Sequence, residues 1–535
     1  MIADRAVQVT TRPAIAALPV AMGWSIALVA AYSVALAATA GVGTATAPVP
    51  AAPLANLLDK PLGEDAFYMF SVARSIAGGH GIAYGGVPTS GVQPLATLVY
   101  AGVYWLAAHA GLPSDAPLRL IIVLNIGLLV LAGALSGTLV RRWLARRGVV
   151  DPQSFWIPFT IAVVSAPAFR MFGYGLETGV YLCLIATLQL VLGGTASELG
   201  ARERIVCGLL VGLCGLARLD FAILAAVVFG WRVVSRRMRV VDGFAIAVVA
   251  FAIVSPWLWY VHSIVGGVMP SSGGAEGAAV NSVAALETRG WVMASVVIAT
   301  LSSVVYEPSS GIVPTTALAI VLVAATALAR RAGVTIADLF RENADWIAGA
   351  AVLAVCYVIY STAGHFYSRY LAPLWLVWTQ LLGAGIARAS IDRRSTVAPH
   401  ALGVVLVALF AMQIGYTIHR GHASNTHLFS AFYIRAHAAQ LGTVGAFQSG
   451  LVGYMNDERT VNLDGKMDHH ALQRRGRLEC YLAERHVTTV VDWPDYIYGG
   501  WISPAFVAAH MREVERVPGG ASIVMAVDHD AGGCR

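Results

Sequence analysis

Charge is what this chain has least of. Over 535 residues only 12% are Asp, Glu, Lys or Arg, against 57% hydrophobic, and mean hydropathy is +0.68. Apolar runs of about 20 residues recur along the chain, so it reads as a polytopic helical membrane protein rather than a soluble one. A strand-like alternation of apolar and polar residues is missing, which excludes a barrel. There is no long basic block either. The net charge of +6 comes from short clusters between apolar runs, so it is a topology signal and not a nucleic-acid surface. Internal repeats are absent. Cysteines are few: Cys183, Cys207, Cys214 and Cys356 fall in apolar runs, as small buried residues do. Only Cys480 and Cys534 lie in the polar tail, where a disulfide between them is permitted if that tail is outside the cytoplasm.

The apolar runs place spans near 18–42, 118–140, 156–172, 177–195, 205–217, 219–234, 241–262, 311–329, 346–363, 370–387 and 400–418. Arg5 and Arg12 precede the first, which is longer than a signal-peptide core and is read as an uncleaved span. Two shorter segments, 94–110 and 291–305, are read as lying along the interface or re-entering. With them excluded, the clusters Arg141-Arg142, Arg146-Arg147, Arg202 with Arg204, Arg232 to Arg239, Arg330-Arg331 and Arg393-Arg394 all fall on one face, the cytoplasmic one. The expected fold is a polytopic α-helical membrane protein of about 11 transmembrane helices, with interfacial helices in the first outer loop and a C-terminal soluble α/β domain. The N-terminus is expected inside and the C-terminus outside. The membrane module is expected over 1–419, with its first outer loop at 43–117, and the extracytoplasmic domain over 420–535. Beyond residue 420, histidines, charges and β-type runs such as Thr488-Thr489-Val490-Val491 appear. Gly266 to Gly277 reads as a flexible outer loop without a core.

This topology collects the isolated charges on the outer face: Glu64, Asp65, Arg74, Arg170, Glu177, Arg218, Asp220, Glu307, His365 and Arg369. A charge at a helix centre costs about 2.5–3.5 kcal/mol on insertion scales, so such residues are paired or functional. Glu64 and Asp65 are adjacent and directly followed by Ala66, Phe67 and Tyr68. Paired carboxylates of this kind suit a general base or a metal ligand; the plain alternative is a solvated loop pair. Phe67, Phe70, Val72 and Ile76 share a loose helical spacing that predicts a short helix lying on the membrane. Arg218 and Asp220 can simply neutralise each other, and Glu177 suits a helix N-terminus for its dipole alone. Asp464, Asp468, His469 and His470 have ligand chemistry without a zinc spacing and read as surface residues, while Asn462 to Gly465 reads as a strand-end turn.

From the acid pair the chain continues through Ala73-Arg74, Gly79-His80-Gly81 and Gly91-Val92-Gln93-Pro94-Leu95. Then come Gly175-Leu176-Glu177-Thr178, Ala217-Arg218-Leu219-Asp220, Tyr367-Ser368-Arg369-Tyr370, Gly445-Ala446-Phe447 and Asn462-Leu463-Asp464-Gly465. In this order the motifs resemble the GT-C superfamily of integral-membrane glycosyltransferases, among them bacterial protein O-mannosyltransferases, lipid A aminoarabinose transferases and arabinofuranosyltransferases. The resemblance implies an inverting transfer of a sugar from a polyprenyl-phosphate donor to a glycan, lipid or protein acceptor at the outer face of a bacterial cytoplasmic membrane. It implies Asp65 as general base, with Glu64 sharing or positioning that role. Arg369 becomes the donor-phosphate residue, supported by Arg218 and His365. Arg74, His80, Gln93, Glu177, Asp220, Tyr367 and Tyr370 become pocket candidates, the two tyrosines doubling as interfacial belt residues. No cofactor is demanded, and a divalent metal at Glu64 and Asp65 remains open. A lipid or sugar transporter or flippase, or a non-catalytic scaffold for envelope assembly, would use the same apolar frame; a transporter would place its charges near the bilayer midplane instead.

Overall fold

The computed structural model describes residues 57–58, 61–193, 198–277, 282–302, 341–360, 368–392 and 426–528. The expected spans near 18–42, 311–329 and 400–418, and with them His365, Tyr367 and Cys534, lie outside the described residues.

The N-terminal described segment contains helix α1 (Glu64–Ala77), a small hairpin of β1 (Ala83–Tyr84) and β2 (Val87–Pro88), and α2 (Pro94–His109). Helices α3 (Ala116–Ala145), α4 (Gln153–Val163), α5 (Ala166–Gly173), α6 (Thr178–Gly193), α7 (Ala201–Ala217), α8 (Phe221–Val234) and α9 (Val240–Val265) follow. After α10 (Ser271–Glu276) come α11 (Val283–Ser302), α12 (Ala344–Tyr360) and α13 (Ala372–Asp392). Among the described residues, Ala116–Ala145, Val240–Val265, Val283–Leu301 and Arg369–Arg388 are helices long and apolar enough to cross a membrane. Helix α7 lies tightly on α9 because Gly208 and Gly212 present no side chain there: a Cβ would come within 2.5 Å of Val249 and 2.7 Å of Ile253. Small residues one turn apart allow this close approach.

Several expectations change. The run 156–172 is not one span but α4 and α5, broken at Val164-Ser165; Pro167, in the first turn of α5, has no N–H to continue the upstream helix. The segment around 291–305 belongs to the 20-residue α11, so length gives no reason to lay it along the interface. At 16 residues α2 stays shorter than a span. Helix α1 does not lie on a membrane by one face: every residue from Ala66 to Ala73 is buried. Nor is 266–277 a loop without packing, since Ser271 and Ala275 of α10 are buried.

The C-terminal residues form α14 (Thr426–Ala436), β3 (Val444–Ala446), α15 (Gly450–Met455), β4 (Thr460–Asn462), β5 (Thr489–Asp492), α16 (Pro494–Ile497), β6 (Met511–Arg516) and β7 (Ile523–Val527). The sheet order is β4-β3-β5-β7-β6. β3 pairs parallel with β4 and β5, while β7 pairs antiparallel with β5 and β6. Phe447, Leu463, Tyr481, Val490 and Ile523 make one core of this unit. A second core is shared: Phe67, Phe70 and Tyr100 of the N-terminal segment pack in the same cluster as Leu428, Val444 and Leu451. Polar bonds reinforce the seam, with Ser449 N donating to Tyr68 OH at 2.9 Å and Tyr84 OH donating to Ser449 O at 2.5 Å. Cys480 is disulfide-bonded.

Candidate active site

A cavity of about 1870 Å³ opens where the N-terminal segment, the helix ends and the C-terminal sheet meet. Gly63 starts α1 by donating its N–H to Tyr174 O at 3.0 Å, which puts Glu64 and Asp65 in the first turn, where the helix dipole favours acids. Both line the cavity. Arg369 reaches Asp65 from a 3-10 turn at Ser368–Leu371, Nη2 donating to Oδ2 at 2.7 Å. These residues are 304 positions apart in the chain. Tyr370 lies between the two arginines, its ring 5.3 Å from the Arg369 guanidinium and 5.2 Å from that of Arg218.

Arg218 takes an extended conformation between α7 and α8. Its guanidinium donates to Glu177 at 2.5 Å, to Asp220 at 2.6 Å and to Tyr357 at 2.8 Å, and Tyr357 also bonds Asp220. Two carboxylates therefore face this one cation on the wall beside Arg369. Gln93 lines the cavity too. Arg74 and His80 do not line it. Arg74 leaves α1 on another side, donating to Asp457 at 3.0 Å and to Tyr454 O at 2.9 Å, which ties the loop to the C-terminal unit. His80 sits exposed in the glycine turn after α1.

The acid pair divides its work. Glu64 Oε1 accepts from Leu451 N at 3.3 Å at the start of α15. Burial first, then the Asp65 carboxylate, push the Glu64 pKa up to about 8, so near neutral pH its protonated form predominates. Asp65 keeps the arginine. Among the described residues no group of three His, Cys, Asp or Glu assembles that could hold a metal ion, and the oxygens of this pair meet Leu451 and Arg369 instead.

The far wall of the cavity was not anticipated. His427, Gln448, Lys466, Trp493 and Tyr496, all from the C-terminal unit, line it, and Glu276 stands beside Lys466. Lys466 Nζ lies 2.8 Å from Glu276 and 3.8 Å from Asp464. Burial opposes its charge, but Asp464, Asp65 and Glu276 outweigh this and hold the ammonium protonated well above the usual lysine range. Asp464, expected at the surface, is buried and pushed up to about 6; Asp468, expected there too, is buried and caps the following turn through His470 N at 2.9 Å. One signal for Lys466 existed: of 36 basic residues only Lys60 and Lys466 are lysines.

ArnT from Cupriavidus metallidurans, solved bound to undecaprenyl phosphate, superposes with a TM-score of 0.54 over 96% of this chain and 99% of that one, at 14% identity. The chain has the ArnT fold. The apo-state structure of the same protein aligns over 95% of this chain and 98% of that one, at 16% identity and a TM-score of 0.41. No family model and no curated protein matches the chain.

Proposed function

We propose that this protein is an inverting membrane glycosyltransferase that moves a sugar from a polyprenyl-phosphate donor to an acceptor hydroxyl at the outer face of the cytoplasmic membrane. The observation that carries this reading is the 2.7 Å Asp65–Arg369 pair inside one large cavity. A base and a phosphate-binding cation stand there within reach of one substrate. The ArnT likeness, whose crystal holds undecaprenyl phosphate, supports the same donor class. Leu216, Leu219, Phe251, Val254 and Leu258 line the cavity with apolar surface suited to a lipid chain.

In the reaction the acceptor oxygen attacks the anomeric carbon as the bond from that carbon to the phosphate oxygen breaks. Asp65 takes the hydroxyl proton, and the departing phosphate's charge develops beside Arg369. Because Arg369 is already bonded to Asp65 without substrate, an entering phosphate competes for that arginine and leaves the carboxylate more basic. Glu64, protonated near neutrality, seats α15 rather than moving the proton, and the Glu177–Arg218–Asp220–Tyr357 network holds the wall on which Tyr370 and Arg369 stand.

Mass spectrometry of membranes from a strain lacking the gene tests this. A polyprenyl-phosphate sugar should accumulate while one envelope glycoconjugate loses a residue, and wild-type protein but not Asp65→Asn should reverse both. Full reversal by Asp65→Asn would sink the enzyme and favour a scaffold.

A further inference from the structure

The three parallel strands of the C-terminal sheet run the same way, and all deliver their carboxyl ends to the cavity. Gln448 follows β3, Lys466 follows β4, and Trp493 and Tyr496 follow β5 on and beside α16. Open α/β sheets bind ligands in the crevice at these carboxyl ends. This edge is also built to hold its side chains still. Buried Asp492 accepts from Phe447 N at 2.7 Å and Gln448 N at 2.9 Å, fixing the loop after β3. The Trp493 indole donates to Thr426 Oγ1 at 3.0 Å and is backed by the His427 ring at 5.2 Å, nearly parallel. Tyr496 stands 6.2 Å from Trp493 and packs on Phe447 at 5.9 Å.

The cavity is larger than one small ligand requires. Sites for single small molecules run to about 300–1,000 Å³, against about 1870 Å³ here. The sheet edge and the apolar surface suited to a lipid come from different elements, the first from the C-terminal unit and the second from the α7–α9 stretch. That edge combines aromatic faces with fixed hydrogen-bonding groups and leaves no cation unmatched: Lys466 meets both Glu276 and Asp464, and burial pushes His427 down to about 4, leaving it neutral. Aromatic faces pack against the C–H faces of a sugar ring, and an ammonium with three donors retains capacity for a hydroxyl after meeting one carboxylate closely. An anionic acceptor would find no unbalanced cation to draw it.

We propose that the carboxyl edge of this sheet is the acceptor subsite and takes an uncharged saccharide, its ring lying on Trp493 and Tyr496 and its hydroxyls meeting Gln448 and Lys466. This rests on the transferase reading for the word acceptor, but the site can be tested without turnover.

Full-length protein in lipid nanodiscs is titrated calorimetrically with neutral mannotetraose, arabinotetraose and galactotetraose, with anionic tetragalacturonate, and separately with undecaprenyl phosphate. At least one neutral tetrasaccharide is expected to bind and tetragalacturonate is not. Trp493→Ala should weaken the neutral sugar about tenfold and Trp493→Phe, which keeps a stacking face, by less than about threefold. Undecaprenyl phosphate should bind both variants as it binds wild type, which also shows them folded; if Trp493→Ala loses it, Gln448→Ala takes its place with the same expected sugar defect. Binding of none of the neutral sugars, equal binding by the variant, or stronger binding of tetragalacturonate overturns the subsite. Lipid binding without sugar binding leaves the transferase reading standing, and sugar binding without lipid binding removes that reading alone.

Discussion

Replacing Asp65 by Asn should separate binding from chemistry, in opposite directions. Asp65 and Arg369 meet at 2.7 Å with side chains 33% and 13% exposed, so neither bulk water nor dry protein describes the space between them. With charge centres about 4 Å apart at an effective dielectric of 20, their attraction is about 4 kcal/mol. A lipid phosphate arriving at Arg369 must compete with that attraction. The neutral Asn removes it, and if water returns about half of the loss, roughly 2 kcal/mol or thirtyfold in affinity for undecaprenyl phosphate is gained. Transfer should fall by about 10²–10⁴, the ordinary contribution of a general base. Arg369→Gln should weaken both lipid binding and transfer. Calorimetry with undecaprenyl phosphate in nanodiscs reads the first quantity, and accumulation of the lipid-linked sugar in complemented cells reads the second. Equal weakening of lipid binding by Asp65→Asn and Arg369→Gln would mean that the pair only holds the wall together, and the competition argued above would be wrong.

Two further outcomes follow from the seam between the N-terminal segment and the C-terminal unit. Glu64 titrates near 8 when folded, above its ordinary value of 4.5, so the folded chain binds more protons between those limits. Its contribution is intact below about 4.5 and is lost as pH rises through about 8; thermal unfolding from pH 6 to 9 should therefore show wild type losing stability faster than Glu64→Gln, and parallel slopes would contradict this. Gly91→Ala would place a Cβ 1.9 Å from Lys466 O, whereas Gly102→Ala meets nothing within 4 Å. The first should cost about 1–3 kcal/mol and speed proteolytic release of the C-terminal unit, the second should do neither, and matching behaviour of the two would show that the loop and the unit do not touch there.

The division of labour around α1 marks the limit of what residue order conveys. The scarcity of charge made Asp65, Glu177, Arg218, Asp220 and Arg369 conspicuous, because each isolated charge in an apolar frame needs a partner, and those five do line one cavity. The strand in Thr488 to Val491 was legible for a similar reason: a β-branched run in a polar tail has few other uses. Trp493 and Tyr496 carried no such contrast, since aromatic residues in a folded unit pack in cores far more often than they line pockets. Their place depends on which end of a parallel strand faces the cavity, and that follows from sheet order, which no local pattern encodes. Arg74 could have been read correctly. Asp65 and Arg74 are nine residues apart in one helix, and at about 100° per residue this puts them roughly half a turn from each other. Both cannot face one cavity, so an arginine opposite Asp65 had to serve a different neighbour, and its neighbour is Asp457. Glu64, about 100° from Asp65, falls between these directions. It points at α15, and that angle, more than any difference between the two carboxylates, is why one holds the C-terminal unit while the other meets Arg369.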